Sequence, residues 1–342
     1  MNEGTFTRPG RAWWSAVTLA ILALIVVPRG LDIALQYDLT SIFVFALLAV
    51  SMSFLWGGAG ILSFGQTIFF GLGGYGYTLL VMNGSPSLLS LAGGVLIGTV
   101  VAAMLGYFMI YGRINDIYLS VITLVVTLIF EKVLRSTSGP EYIIGSVRLN
   151  GQNGIPGIPG LELPFFGEAL SIEGMFWVAG GALILVYVAL RLLMAARFGR
   201  ILVGIRENER RMELLGYDTR RYRLVAFTIA GALAALAGVL FALWGSFVGP
   251  EMFNLNQAAL IVIWVIVGGR TTLIGPIIGA ALIQYLSKWL GTVGLGQVST
   301  VMGLILVTFV LLFPRGLIPT IGGLMQRAGL TALLQRKKPN VG

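Results

Sequence analysis

GRILVGIRENERRMELLGYDTRRYR (residues 199–223) runs directly into LVAFTIAGALAALAGVLFALWGSF (residues 224–247). The second segment has 24 residues without a charge. As a helix it would be about 36 Å long, which is enough to cross a hydrocarbon core of about 30 Å. The first segment is rich in Arg, which membrane proteins concentrate in their cytoplasmic loops. Together the two segments predict a membrane-spanning helix preceded by a cytoplasmic loop.

The whole chain has the composition of a membrane protein. Of its 342 residues, 57% are hydrophobic and 11% are charged, whereas charged residues make up about a quarter of a soluble domain. The chain has no Cys and no His, which excludes thiol and imidazole metal sites, disulfides and His-dependent catalytic triads. The net charge of +9 is ordinary for a membrane protein, so we expect no nucleic-acid partner.

Ten apolar windows predict an all-α polytopic bundle with broken helices and about ten membrane crossings. The windows cover residues 16–27, 39–56, 67–82, 88–111, 117–134, 174–194, 224–247, 257–267, 272–290 and 298–313. Residues 257–267 would span only about 16 Å as a helix, so they form either a broken helix or part of a bent span. No small-residue cleavage site follows the first window, so we expect a retained helix in a single transmembrane domain, residues 1–342.

The distribution of Arg predicts which loops face the cytoplasm. Residues 191–223 contain nine Arg and four acidic residues, so the loop at 195–223 is expected to be cytoplasmic. Ten crossings then place both termini inside, with a cytoplasmic tail at 317–342 and an outside loop at 135–173. The outside loop contains GQNGIPGIPG, whose Gly and Pro density predicts an ordered but irregular cap.

Glycine patterns recur at two points of the chain. WGGAGILSFGQ (residues 56–66) and VGGRTTLIGP (residues 267–276) both read Gly-Gly, three residues, Leu, then Gly, at gaps between apolar windows. This predicts an internal repeat with helix breaks near a central site. Between them, Gly71, Gly73, Gly74 and Gly76 share one helix, which predicts close helix packing, with pore lining as the alternative.

The charged segment at 199–216 has the pattern of a short amphipathic helix that ends at glycine. Such a helix outside the membrane can dock in a groove on another protein, or it can lie on the lipid headgroups. Four acidic residues interrupt the basic run between 191 and 223. Acids gain nothing next to anionic headgroups, so the pattern favours docking to a protein.

Four segments resemble the permease subunits of the high-affinity branched-chain amino acid ABC importers. They are GRILVGIRENERRMELLGYDTRRYRLVAFTIAGALAALAGVLFA, PEMFNLNQAALIVIWVIVGGRTTLIGPIIGAAL, WGGAGILSFGQTIFFGLGGYGY, and YLSVITLVVTLIFEKVLR with the following NGIPGIP. The resemblance runs from about residue 38 to residue 316. Permeases for urea and short amides share nearly all of these motifs, so the substrate stays open between the two classes.

The resemblance implies an assembly in the bacterial inner membrane, embedded in the lipid bilayer, with both termini of this chain cytoplasmic. The implied partners are a second homologous permease, two ABC ATPases and a periplasmic binding protein. No cofactor is expected on this chain, because ATP is bound by the ATPases, and no Lys follows a Gly as a phosphate-binding loop requires. The residues implied to couple to the ATPase are Gly199, Arg200, Ile205, Arg206, Glu207, Asn208, Glu209, Leu215 and Gly216.

Polar residues at the two glycine-rich gaps are candidates for the translocation path. Ser63, Gln66 and Thr67 lie where the third helix begins, and Thr271 and Thr272 lie at the matching point of the second half. A helix start exposes N–H groups that could steady a substrate carboxylate. The alternative is that these residues only cap helices.

No catalytic or metal-binding residue is expected, and the chain is not predicted to be an enzyme. A passive channel or a secondary transporter is the rival from another class. A channel would need no docking helix, and an ion-coupled carrier would be expected to keep acidic residues inside the membrane.

Overall fold

The computed structural model describes residues 10–162, 169–292, 303–304, 307–309 and 316–320. In this part the chain forms α1 (Arg11–Val26), α2 (Ile33–Ser53), α3 (Gln66–Met82), α4 (Ser87–Tyr111), α5 (Asp116–Ser136), α6 (Ile172–Ala195), α7 (Arg197–Glu207), α8 (Glu209–Leu214), α9 (Thr219–Gly245), α10 (Leu255–Gly268) and α11 (Gly275–Thr292). Short strands lie at β1 (Ile143–Ile144), β2 (Val147–Arg148), β3 (Ile155–Pro156) and β4 (Phe247–Val248). The predicted all-α bundle is confirmed.

The helices follow the apolar windows closely, except that three of them begin five or six residues earlier, the first being α1 at Arg11. α2 begins at Ile33 and α9 at Thr219, ahead of windows predicted to start at 39 and 224. In α9 the early start has a local cause, because the Asp218 side chain accepts a hydrogen bond from the Arg221 N–H at 3.3 Å. This cap starts the helix within the charged segment, which a hydropathy window cannot register.

Six helical segments are long and apolar enough to cross a membrane in the part of the chain that the structure describes. They are Trp13–Gly30, Ile33–Ala59, Ser87–Tyr111, Asp116–Ser136, Ile172–Ala195 and Thr219–Gly245. α10 is a separate helix of 14 residues that covers the short window at 257–267, and of the two alternatives for this window the structure shows a helix interrupted after Gly268. The tenth window (298–313) and the tail (317–342) lie mostly outside the described residues, and the ten crossings stay a prediction.

Glycines allow α3, α4 and α9 to pack backbone against backbone at the centre of the bundle. A Cβ at Gly238 of α9 would overlap the Phe70 carbonyl of α3, and one at Gly73 would overlap the Ala235 carbonyl of α9. A Cβ at Gly94 of α4 would lie 2.7 Å from the Gly73 carbonyl oxygen. Small residues permit this close approach in membrane helices. The packing role predicted for the α3 glycines is therefore confirmed.

The loops gather at two opposite ends of the bundle. At one end, Tyr77 of α3 donates to the Pro159 carbonyl at 3.1 Å, and β3 pairs with β4. At the other end, the segment between α6 and α9 contacts the end of α2, and the start of α9 contacts the start of α5. α6, with 24 residues, separates the two ends. The loop at 135–173 and the loop at 195–223 therefore lie at opposite ends of the bundle, and which end faces the cytoplasm stays a prediction.

The described part of the loop at 135–173 contains little regular structure. β1 and β2 form an antiparallel pair, and a short 3-10 turn covers Gly151–Asn153. The loop reaches α3 through Asn83, whose side-chain oxygen accepts from the Ser146 N–H at 2.6 Å. The irregular cap predicted from Gly and Pro is confirmed.

Candidate functional site

The charged segment at 199–216 folds as two helices, so the prediction of one short helix is corrected. α7 ends at Glu207 and α8 begins at Glu209. Asn208 between them is extended, with φ −161° and ψ 96°, and its side-chain oxygen accepts from the Arg211 N–H at 2.9 Å. This side-chain cap starts a second helix in a new direction. The chain then turns at Gly216, whose φ is +86°, at the glycine predicted to end the segment.

α7 packs inward against the bundle. A Cβ at Gly199 would overlap the Met194 backbone, and Ile205 is buried. Arg200 donates to the Ala195 carbonyl at 3.0 Å, which ties α7 to the end of α6. Gly199 and Ile205 thus have a packing role, whatever partner binds the loop.

Arg206 points toward α2 and is only 18% exposed. Its guanidinium donates to the Gly57 carbonyl, and it also pairs with Glu207 at 2.6 Å. The Glu207 side chain is 56% exposed. Of the two neighbours, Glu207 is therefore open to a partner, while Arg206 is held within the chain.

α8 points away from the bundle and ends in an apolar tip. Leu214 and Leu215 are 83% and 66% exposed. The other exposed residues between 207 and 216 are Glu207, Asn208, Arg210, Arg211, Glu213 and Gly216. An apolar tip surrounded by charges of both signs is typical of a protein-docking surface.

Arg223 of α9 joins α8 to α5. It pairs with Glu209 at 3.0 Å and with Asp116, and it is only 12% exposed. Two clefts of about 540 Å³ each border this network, and Arg223, Glu209 and Asp116 line both of them. Glu209 is therefore partly engaged within the chain. Arg223 was not predicted from the sequence, although a charged residue next to the start of an apolar helix was a signal.

The first helix break (residues 57–65) lies between α2 and α3. The end of α2 continues as a π-helix, Phe54–Ala59, and Gly60 then has a φ of +79°. Ser63, Gln66 and Thr67 are all at most 1% exposed. The chain between them is irregular, which inside a membrane requires partners from the protein for the backbone groups.

Hydroxyl groups at the first helix break bond to nearby backbone groups, although α3 has no side-chain cap at its start. Ser63 Oγ accepts from the Gly65 N–H at 3.1 Å, and Thr67 Oγ1 donates to the Phe64 carbonyl at 3.0 Å. Gln66 differs. Its Oε1 lies 3.4 Å from Ser51 Oγ, but its Nε2 is buried and has no hydrogen-bond partner among the described residues.

Three hydroxyl residues of α5 line the first helix break. Ser120 Oγ donates to the Leu62 carbonyl at 2.7 Å, and Thr127 Oγ1 lies 3.4 Å from the Phe64 carbonyl oxygen. A Cβ at Gly65 would lie 3.1 Å from the Thr123 Cβ. These residues were not predicted from the sequence, although their spacing of three and four places them on one face of a helix.

The second helix break (residues 269–274) lies between α10 and α11. Thr272 Oγ1 accepts from the Gly275 N–H at 3.1 Å and so caps α11. Thr271 is exposed and Thr272 is half-buried. Both threonines were predicted to lie beside the translocation path. The structure shows a capping hydrogen bond for Thr272.

The two breaks contact each other. A Cβ at Gly57 would overlap the Arg270 carbonyl, and Ser53 Oγ donates to the Thr272 carbonyl at 3.4 Å. The Arg270 guanidinium lies 5.5 Å from the Trp56 ring centroid, which is within cation–π range. Trp56 precedes one Gly-Gly pair and Arg270 follows the other. The two glycine-rich segments therefore contact each other at one end of the bundle.

Comparison with known proteins identifies the family. Residues 35–313 match the family model described as the permease component of the branched-chain amino acid transport system. The chain belongs to this family. Its members are transport permeases, and the match covers the first break, the loop with α7 and α8, and the second break.

Several relatives of this permease have been described. The high-affinity branched-chain amino acid transport system permease protein LivM of Escherichia coli is 28% identical over 336 residues, covering 89% of this chain and 74% of LivM. The ribose import permease protein RbsC of the same species is 25% identical over 217 residues, covering 62% of this chain and 63% of RbsC. The autoinducer 2 import system permease protein LsrC of Salmonella paratyphi B is 34% identical over 134 residues, or 37% of each chain. No solved structure matches this permease at a significant level.

Proposed function

We propose that this permease is the membrane-spanning subunit of an ABC importer for branched-chain or other hydrophobic amino acids. The observation that carries the proposal is the arrangement of the coupling loop (residues 195–223). Its outer helix α8 presents Leu214 and Leu215 to a partner, and its inner helix α7 packs on the first helix break. One loop thus joins a docking surface to an irregular segment inside the membrane domain.

The complete transporter would contain a second homologous permease, two ABC ATPases and a periplasmic binding protein. The ATPases bind ATP, and the exposed residues of α8 with Glu207 form the docking surface on this chain. Closure of the ATPase pair would move α8, and the permease pair would alternate between outward and inward openings. The membrane topology has ten crossings with both termini cytoplasmic, in the bacterial inner membrane. The contact between the two breaks supports the internal repeat.

The translocation path would bind the transported amino acid only weakly. The polar groups at the first helix break are neutral hydroxyls and amides, namely Ser63, Gln66, Thr67 and those of α5, and they are set among apolar residues. A zwitterionic amino acid with an apolar side chain suits such surroundings. Weak binding fits a permease whose substrate is selected beforehand by a binding protein, because a tightly bound intermediate leaves slowly.

The proposal can be tested by purifying the tagged permease from its native membrane and identifying what comes with it. Two ATPases and a second permease are expected. Leu215→Asp should reduce ATPase recovery at least tenfold, because burial of one Leu side chain contributes about 1.5–3 kcal/mol. Ile143→Asp, an equally apolar and exposed site on the opposite end, is the matched control and should leave recovery unchanged.

Uptake by the purified complex in proteoliposomes identifies the substrate class. Labelled leucine should accumulate when ATP and the binding protein are present, and labelled urea should not. Accumulation of urea alone would favour the urea and short-amide alternative. Uptake by the permease without any ATPase would favour a channel or a secondary transporter, and would contradict the proposal.

Topology can be tested by cysteine labelling, because the natural chain has no Cys. Gln152 in the cap and Arg211 in α8 are both exposed, so Gln152→Cys and Arg211→Cys should each be reactive. A membrane-impermeant maleimide applied to intact cells should label the first position only. Labelling of both positions from the same side would contradict the topology.

A further inference from the structure

Arg206 lies where the coupling loop meets the first helix break. Its guanidinium donates to the Gly57 carbonyl, 149 residues away in the sequence. This carbonyl belongs to the π-helical end of α2. The end of a helix carries partial negative charge on its free carbonyls, and a cation there is stabilising. The contact is therefore a charge-assisted bond between the loop and the end of a membrane helix.

The contact between α7 and the break is close-packed. Gly60 has a φ of +79°, and a Cβ added there would lie 2.8 Å from Arg206 Cγ. A Cβ at Gly58 would lie 3.6 Å from Leu202 Cδ2, and Leu202 is fully buried. α7 and residues 57–60 are therefore in direct van der Waals contact, beside a cleft of about 540 Å³ that Gly60 and Arg206 also line, so a displacement of α7 presses on these residues.

The second helix break also packs against the first. The Arg270 carbonyl fills the space beside Gly57, and the Thr272 carbonyl accepts from Ser53. Residues 57–60 therefore contact α7 as well as the second break. Any movement of α7 toward or away from the bundle acts on both breaks through this short segment.

We propose that Arg206 is a positioning residue that couples movement of α7 to the two helix breaks. Its guanidinium holds α7 to the Gly57 carbonyl, so that α7 and residues 57–60 move together when the ATPases close. Arg206 thus acts inside the permease and not on the surface of the ATPase. The inference rests on the proposed function, because it requires that the loop is moved by an ATPase.

The test compares Arg206→Gln and Arg206→Lys with Arg221→Gln in the reconstituted complex. Arg221 is 77% exposed and pairs with Asp218 at the start of its own helix. It therefore has the same charge as Arg206 but no bond of this kind to the first helix break. With labelled leucine as the probe, Arg206→Gln should lower the number of molecules transported per ATP at least tenfold, with ATPases recovered as in the natural chain. Arg206→Lys should lower the number of leucine molecules transported per ATP less than Arg206→Gln does. Arg221→Gln should keep this number within twofold of that of the natural chain.

Hydrogen exchange provides a second measurement that does not depend on the substrate. In the natural complex, the exchange rate of residues 57–65 should change when ATP and vanadate trap the closed state. This change should be lost in Arg206→Gln and kept in Arg221→Gln. Equal transport ratios in Arg206→Gln and the natural chain, or loss of the ATPases from Arg206→Gln, would overturn the inference. If no ATPase co-purifies with the natural permease, the proposed function itself is contradicted, independently of the result for Arg206.

Discussion

The two helix breaks share one glycine pattern, but they lie in different surroundings. The first break is enclosed, with Ser63, Gln66 and Thr67 at most 1% exposed and with the hydroxyls of α5 along it. The second break reaches the surface, where Arg270 and Thr271 are exposed. The same local sequence therefore forms a buried polar cluster in one half and an accessible turn in the other.

The difference shows that the neighbours of a break, and not its glycines, determine what it can do. The first break has α5 on one side and α7 on the other, so its irregular backbone is bonded within the protein. The second break leaves the exposed Thr271 side of its turn open toward a cleft of about 540 Å³, which the first break borders only with residues 56–60, ahead of its buried polar residues. The first is thus suited to transmit movement. Three sets of variants test this distinction, from the largest expected effect to the smallest.

Gly57→Ala should have the largest effect, because it acts where the two breaks meet. The added methyl group would overlap the Arg270 carbonyl, and overpacking of this kind costs about 3 kcal/mol. We expect much less folded protein in the membrane and earlier unfolding in a titration of mixed micelles with SDS. Gly181→Ala in α6, where a Cβ meets nothing within 4 Å, is the control. Similar stability of the two variants would mean that the breaks do not pack together.

A pair of threonine substitutions compares the two breaks directly. Thr127→Val removes a buried hydroxyl that lies 2.8 Å from the Thr123 carbonyl oxygen and 3.4 Å from that of Phe64. Its loss should cost about 1 kcal/mol in the same unfolding titration. Thr271→Val, at the exposed break, should change stability by less than about 0.5 kcal/mol. Equal costs would remove the distinction between an enclosed and an open break.

Gln66→Met should have the smallest effect on stability but a visible effect on transport. The Gln66 Nε2 group has no partner in the described part of the chain, so its removal should leave the free energy of unfolding within about 0.5 kcal/mol. If this amide steadies the passing substrate, leucine uptake should fall about threefold, with little change in the concentration for half-maximal uptake.

Gln36→Met is the matched control for Gln66→Met. Gln36 is also buried, but its Nε2 donates to the carbonyls of Pro28 and Leu31 at 2.8 and 3.1 Å. Its replacement should cost about 1 kcal/mol or more of stability. Loss of stability in Gln66→Met to the same extent, with an unchanged uptake rate, would assign Gln66 to packing alone.

Hydropathy predicted most helices of the bundle within a few residues, because helix formation in a membrane depends on local apolar content. Each backbone group must be bonded within its own segment, so about 20 apolar residues are enough to specify a helix. The errors lie where charges enter a helix. α9 begins at Thr219, and the segment at 199–216 divides into two helices at Asn208. In both places a single side-chain cap sets the start of the helix, and the mean hydropathy of a window does not register it.

The candidate site was predicted less completely than the fold. The residues of the coupling loop and of both breaks were named from the sequence, and the structure places α7, α8 and the breaks at the same end of the bundle. The sequence did not indicate that Arg206 faces inward, that Arg223 joins Glu209 to Asp116, or that Ser120, Thr123 and Thr127 line the first break. Each of these contacts joins residues far apart in the chain.

The amino-acid sequence by itself determined that this is a helical membrane protein, where most of its helices lie, and which glycines pack closely. These properties are local, since they depend on apolar content, charge and the absence of a side chain. Only the tertiary structure decided which of two similar breaks is buried and which polar side chain lacks a partner. Such outcomes depend on how α5, α7 and α11 are placed around the breaks, and helix packing is set by contacts between distant residues, not by any one segment.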